Sequence, residues 1–100
     1  MRCDYRRAER HELTVQGSYR FGGRRRDVQL TDLSEKGCRF VDRHSPVRLD
    51  DEIQLRIEML GPFEGRVRWR DSRYVGIQFE QPIYSPIFDF IRQRLDRTRF

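Results

Sequence analysis

Apolar and polar side chains alternate along most of this chain, and the period is two. Ile53, Leu55, Ile57 and Met59 alternate with Gln54, Arg56 and Glu58, the pattern of a strand with one face buried and one face wet. Val75, Ile77 and Phe79 alternate with Gly76, Gln78 and Glu80, and Val67 and Trp69 with Arg66, Arg68 and Arg70. Shorter stretches of the same kind run from Leu13 to Tyr19, from Val28 to Leu30 and from Cys38 to Phe40. About six strands at short spacing predict a small antiparallel barrel or sandwich, and a mainly β, six-stranded antiparallel barrel is the expectation carried forward. Gly22-Gly23, Gly61-Pro62 and Asp71-Ser72 read as hairpin turns. Trp69, in a strand interior beside Val67, is assigned to the core.

The period changes near the C-terminus. Ser85 can cap a helix and Pro86 can take its first helical position. Ile87, Phe88, Ile91 and Leu95 then share one face, so a C-terminal α-helix of about three turns would plug one end of the barrel or lie against its side. Arg97 and Arg99 suit the negative end of its dipole. The stretch from Met1 to Glu9 has no apolar periodicity. The chain therefore divides into an N-terminal arm, residues 1–11, and a barrel domain with its helix, residues 12–100.

One hundred residues make one domain with a modest core. No stretch has the length of a membrane span and the charged start lacks the apolar core of a signal peptide, so the cytoplasm is the expected location. Cys3 and Cys38 are too few for a disulfide framework and lack zinc-ligand spacing, and Cys38 beside Phe40 reads as a small core residue. His11 and His44 stand apart, without acidic or nucleophilic company, and read as surface residues. No nucleophile elbow, metal cluster or Gly-rich phosphate loop is present, so nothing points to an enzyme, a cofactor or a metal. A formal charge of +5, carried by Arg with Lys36 as the single Lys, suits an anionic partner.

Two short motifs narrow the partner. Arg6 and Arg10 in Arg6-Arg7-Ala8-Glu9-Arg10 supply planar cations that fork onto phosphate or onto the O6/N7 edge of guanine. In Asp32-Leu33-Ser34-Glu35-Lys36-Gly37, Asp32 offers an acceptor-only carboxylate for the two N–H donors on guanine's Watson–Crick edge. Ser34 adds a hydroxyl, and Gly37 permits a sharp turn and close backbone approach. Asp32 stands outside the apolar alternation, and Glu35 and Lys36 are assigned to solvent. With Gly65-Arg66-Val67-Arg68-Trp69 and Val75-Gly76-Ile77-Gln78-Phe79 downstream, the chain from Tyr5 to Leu95 resembles the PilZ family, whose signatures are R-x-x-x-R and [D/N]-x-S-x-x-G. The resemblance implies a receptor for the second messenger cyclic di-GMP. Arg6 and Arg10 would clamp phosphate and guanine, with Arg7 sharing the phosphate work. Asp32 and Ser34 would read guanine edges beside Gly37. With no output domain of its own, such a receptor would signal to an unidentified downstream protein as its arm orders.

Two other readings stand beside this one. Glu9, directly before Arg10, could pair with the arm's Arg residues, leaving an adaptor that works by protein contacts without nucleotide. The run Arg20-Phe21-Gly22-Gly23-Arg24-Arg25-Arg26 resembles a single-stranded nucleic-acid contact, charges for phosphates and a ring for a base. A solvated tip whose charges oppose edge-to-edge aggregation ranks above that reading.

Overall fold

The computed structural model describes residues 11–97. Six strands form: β1 (His11–Phe21), β2 (Arg24–Leu33), β3 (Gly37–Val41), β4 (Glu52–Ile57), β5 (Leu60–Arg70) and β6 (Tyr74–Phe79). All neighbours are antiparallel, and the order β1-β2-β3-β6-β5-β4 closes on itself through the β1–β4 pairing. Closure gives every strand a neighbour on both sides for part of its length. The expected barrel is the observed fold.

Alternation builds its interior. Val15, Tyr19, Leu30, Phe40, Leu55, Val67 and Val75 are all but inaccessible. Each such side chain is worth about 1.5–3 kcal/mol in transfer from water. The parity of β2 changes in mid-strand: Leu30 pairs with Phe40, but Asp32 pairs with Arg39. One extra residue on β2 restarts the count, so Leu33 turns inward as Leu30 does.

Two further bulges correct the simple alternation. On β5, Val67 faces Ile77 and Trp69 faces Gly76, so Arg68 is the extra residue. The bulge moves Trp69 outward, and instead of entering the core it is 42% exposed, with its indole lying over Gly76. A Cβ at Gly76 would overlap that ring. Between β4 and β5, Leu55 faces Phe63 and Ile57 faces Leu60. The reversal therefore falls at Glu58-Met59, and Gly61-Pro62 lies inside β5 at a bulge, where proline's missing donor is tolerated. Glu58 takes the left-handed conformation (φ 56°) that the turn requires. Met59 accordingly leaves the alternation and is 87% exposed. Gly22-Gly23 and the Asp71-Ser72 turn stand where the sequence places them; Asp71 Oδ1 accepts the Arg73 and Tyr74 N–H groups.

The C-terminal helix, α1 (Ser85–Phe90), continues through a π-helical turn, Ile91–Leu95. Phe88 and Ile91 are buried, and Ile87 and Leu95 pack at the margin of the same cluster. The capping differs from expectation. Tyr84 occupies the N-cap, where its carbonyl accepts the Ile87 and Phe88 N–H groups, while the Ser85 hydroxyl donates to Glu35 Oε2 at 2.9 Å. Past the helix, Asp96 Oδ1 accepts the Thr14 N–H and the Arg97 N–H donates to the Thr14 carbonyl. Thr14 lies where the β1–β2 register shifts, so backbone groups freed from the ladder are satisfied by the tail. The Arg97 side chain pairs with Glu58 at 3.3 Å; Arg99 lies outside the described residues.

Candidate functional site

β2 ends at Leu33 and β3 begins at Gly37, so the Asp32–Gly37 motif is the reversal between two neighbouring strands. The Ser34 N–H donates to the Gly37 carbonyl at 2.8 Å, and Ser34 Oγ accepts the Lys36 and Gly37 N–H groups, each at 3.1 Å. The hydroxyl's acceptor capacity is thus engaged within the turn. Its proton faces the Gly37 carbonyl at a long 3.4 Å, so toward an incoming ligand Ser34 is best placed as a donor.

Gly37 has no left-handed φ, so conformation does not explain it. Close approach does: a Cβ there would overlap the Ile77 carbonyl oxygen across the β3–β6 pairing. Asp32 lies beside the β2 bulge and is 5% exposed, although the alternation leaves it outside the core. Its charge is felt at Cys38, whose thiol is pushed above its ordinary pKa by burial first and by Asp32 second. Cys38 is therefore a protonated, buried thiol, as its place beside Phe40 suggests.

Glu35 and Lys36 do more than face solvent. The Glu35 carbonyl accepts the Ile83 N–H at 2.7 Å, and the Lys36 carbonyl accepts the Phe79 N–H at 2.8 Å. With the Ser85–Glu35 side-chain bond, the turn is stitched to the segment that links β6 to α1.

The barrel register brings the start of β1 to this same turn. His11 pairs with Leu33 and Glu12 with Asp32. His11 is half-buried, its ring 5.5 Å from that of Phe88, while His44 is exposed in the β3–β4 loop. Arg10 is the residue before His11 in the chain. Arg6, Arg7, Arg10 and Glu9 themselves lie outside the described residues. Of the six residues assigned to the site, the structure describes Asp32, Ser34 and Gly37, and it places them in one turn.

The Arg20–Arg26 tip is less free than its composition suggests. Arg26 forks onto Asp42, Nε to Oδ2 at 2.9 Å and Nη2 to Oδ1 at 2.7 Å, and Arg25 lies 3.2 Å from Asp27. Arg20 and Arg24 are exposed. The Arg26–Asp42 pair belongs to a buried cluster that sequence reading missed. Tyr19 donates to Asp42 Oδ2 at 2.6 Å, and its hydroxyl lies 2.9 Å from Ser45 Oγ. Burial pushes the Tyr19 pKa up to about 12, with the Asp42 hydrogen bond adding to it. Burial also raises Asp42, but hydrogen bonds from Arg26 and Tyr19 outweigh it and hold the carboxyl below its ordinary value. The hydrogen bond to Asp42 raises the Arg26 pKa. Arg70 clamps the same loop by donating to the Ser45 and Val47 carbonyls, with Val47 fully buried beneath. These partners are 16 to 26 residues apart, a distance no local pattern spans. They gather where β1 ends, β2 begins and β3 runs into its loop, at the barrel end opposite the motif turn.

Among the described residues no group of three His, Cys, Asp or Glu side chains could hold a metal ion, and no helix is long and apolar enough to cross a membrane. Comparison with known proteins locates the chain. Residues 4–93 match the family model described as the PilZ domain. Among solved structures, the Bacillus subtilis inhibitor of motility, MotI/DgrA, superposes with a TM-score of 0.65 at 12% identity, over 86% of this chain and 51% of that one. This chain therefore spans about half of that protein. An uncharacterized Legionella protein superposes with a TM-score of 0.51 at 11% identity, over 72% of this chain and 76% of the other. At such identities the likeness is one of fold. No curated protein sequence gives a match.

Proposed function

This chain belongs to the PilZ domain family, and on that premise we propose that it is a cyclic di-GMP receptor whose arm closes over the Asp32–Gly37 turn and presents an altered surface to a partner protein. One observation carries the reading: the antiparallel register sets His11 opposite Leu33, so the residue that follows the R-x-x-x-R motif is paired inside the D-x-S-x-x-G motif. Motifs 22 or more positions apart in the chain then serve one ligand. Arg6 and Arg10 supply cations for the phosphates and the guanine O6/N7 edge, and Arg7 shares the phosphate work. Asp32 accepts from guanine's Watson–Crick donors. Ser34 offers its proton, and Gly37 keeps β3 close enough to β6 to hold the turn in place. No catalysis is assigned. An arm that orders as the ligand binds would pay conformational entropy, which would limit affinity and make the ordering itself the signal.

Isothermal titration of the full chain with cyclic di-GMP tests the reading. Saturable heat, lost in an Arg6→Ala/Arg10→Ala variant that stays folded by circular dichroism, is the expected result. Folded protein that gives no heat at high micromolar ligand overturns it and leaves the nucleotide-free adaptor. The single-strand nucleic-acid reading loses ground on one observation, because Arg26 is forked onto Asp42 and its charge is already paired.

A further inference from the structure

A groove of about 640 Å³ lies between the first half of β5, the segment linking β6 to α1, and the start of α1. Its apolar lining comes from Phe63, Ile83, Tyr84 and Ile87 with two prolines, Pro62 and Pro82. Tyr84 is 70% exposed, a large ring with little cover among the described residues. The polar lining is acidic: Glu52, Glu64 and Glu80 face one guanidinium, Arg66. Arg66 bridges Glu52 at 2.9 Å and Glu80 at 3.5 Å, so one cation is shared between two carboxylates. Among the described residues Glu64 accepts an amide proton from Gln54, and that bond does not neutralise its charge. Among the described residues, three carboxylates against one guanidinium leave the groove lining at −2, within a chain whose net charge is +5. Arg20 and Arg68 line neighbouring depressions and not this one. An apolar floor with an anionic rim is complementary to cationic side chains flanking apolar ones.

The groove is also tied to the motif turn. Its wall from Glu80 to Tyr84 hangs from that turn by the Phe79–Lys36 and Ile83–Glu35 backbone bonds and by the Ser85–Glu35 side-chain bond. On its other side the same wall is held to β5, where the Glu80 N–H donates to the Glu64 carbonyl at 2.8 Å. Turn and wall are therefore bonded to each other directly, with no intervening element.

We propose that this groove is the docking site for the downstream partner, and that it takes a cationic segment of that protein bearing apolar anchors. Phe63, Ile83, Tyr84 and Ile87 receive the anchors, and Glu52, Glu64 and Glu80 receive the cations. The partner's role in signalling rests on the receptor reading above; the groove and its chemistry do not. Because Glu35 joins turn and wall, occupancy of the turn changes the groove's affinity, and by linkage occupancy of the groove changes nucleotide affinity by the same factor.

The test uses a fluorescein-labelled twelve-residue peptide of alternating Arg and Leu, and a control with Glu in place of each Arg. Fluorescence anisotropy with the full chain is expected to show saturable binding of the Arg peptide and at least tenfold weaker binding of the Glu peptide. The triple variant Glu52→Gln/Glu64→Gln/Glu80→Gln should bind the Arg peptide at least tenfold more weakly. Tyr84→Ala should weaken it severalfold without touching a charge or the core, which keeps the result separate from any loss of folding. Amide shift changes in the wild type should centre on residues 62–66 and 80–87. Equal binding of both peptides, variants that bind as wild type does, or shifts centred on another face would each overturn the proposal. Adding cyclic di-GMP is a separate arm. A nucleotide that binds and shifts peptide affinity supports the coupling; one that binds and leaves peptide affinity unchanged removes it. A chain that takes the peptide but no nucleotide refutes the receptor reading and leaves the docking site standing.

Discussion

Tyr19 carries a hydroxyl at a position only 1% exposed, and the sequence around it reads as ordinary strand. What holds it there is Asp42, 2.6 Å away. A hydrogen bond to a charged group is worth about 1.5–3 kcal/mol, so Tyr19→Phe should lower stability by roughly that amount, read from urea unfolding midpoints with an unchanged slope. The same cluster sets a pH dependence. Tyr19 ionises near 12 in the folded chain and near 10 unfolded, so the folded state holds its proton longer. Stability from this group is complete below pH 10 and is lost as the pH rises from about 10 to 12; Tyr19→Phe should flatten that part of the profile. Asp42 works in the opposite sense. Its folded pKa lies below the ordinary 3.8, so its contribution is complete above that value and falls away as acid protonates it.

Asp32 invites a different kind of test, because burial changes which substitution is informative. Truncation to Ala beside a bulge would disturb folding and recognition together. Asp32→Asn preserves the volume while turning one acceptor into a donor. It should cost cyclic di-GMP roughly tenfold to a hundredfold, from about 1.5–3 kcal/mol. An adenine cyclic dinucleotide should be much less affected. Arg10→Ala removes a phosphate contact and should weaken both nucleotides alike. Titration of both variants with both ligands decides the matter: guanine preference retained in a folded Asp32→Asn protein would mean that another residue reads the base.

At the scale of elements, period-two alternation was enough to place all six strands, because in a closed barrel every strand buries one face. The same rule misplaced Trp69 and Met59, and in both cases a count was broken. Arg68 bulges out of β5 and sends Trp69 outward, while the reversal at Glu58-Met59 precedes the Gly-Pro pair that resembles a turn. Bulges depend on pairing with a partner strand, which a local pattern does not contain. The helix was legible through Ile87, Phe88, Ile91 and Leu95, but not through its cap, because the Ser85 hydroxyl has a tertiary partner in Glu35. The motif turn was legible for a related reason: Ser34 bonds within its own four residues. The Tyr19–Arg26–Asp42–Ser45 cluster, drawn from two strands and a loop, had no such local signal. Ile91, fully buried between helix and barrel, gives the element its test. Ile91→Ala should cost about 2–5 kcal/mol. The loss should appear as a single unfolding transition shared by helix and barrel signals, since Asp96 and Arg97 tie the helix end to Thr14.

For the whole molecule, closure and charge set what a ligand can do. Closure pairs each strand with a neighbour on both sides over part of its length, so under the receptor reading a change at the motif turn reaches a partner chiefly through side-chain surfaces and the turns that carry them. The motif turn holds β3 against β6 through Gly37, holds the β6–α1 segment through Glu35 and Lys36, and pairs with the start of β1 through Leu33. A ligand that binds there engages several elements of the folded state and has no counterpart site in the unfolded chain. Cyclic di-GMP at a hundredfold excess over its Kd should therefore add about 2.7 kcal/mol to stability. For a domain of this length that corresponds to a rise in Tm of roughly 10–20 °C. Thermal unfolding followed by circular dichroism checks it, with cyclic di-AMP as the comparison ligand. The shift should grow with the logarithm of nucleotide concentration and shrink as salt is raised. It should vanish in Arg6→Ala/Arg10→Ala, whose own Tm without ligand should match that of the wild type. If nucleotide binds by titration yet leaves Tm unmoved, the ligand engages folded and unfolded chains alike, and the motif turn is not its site.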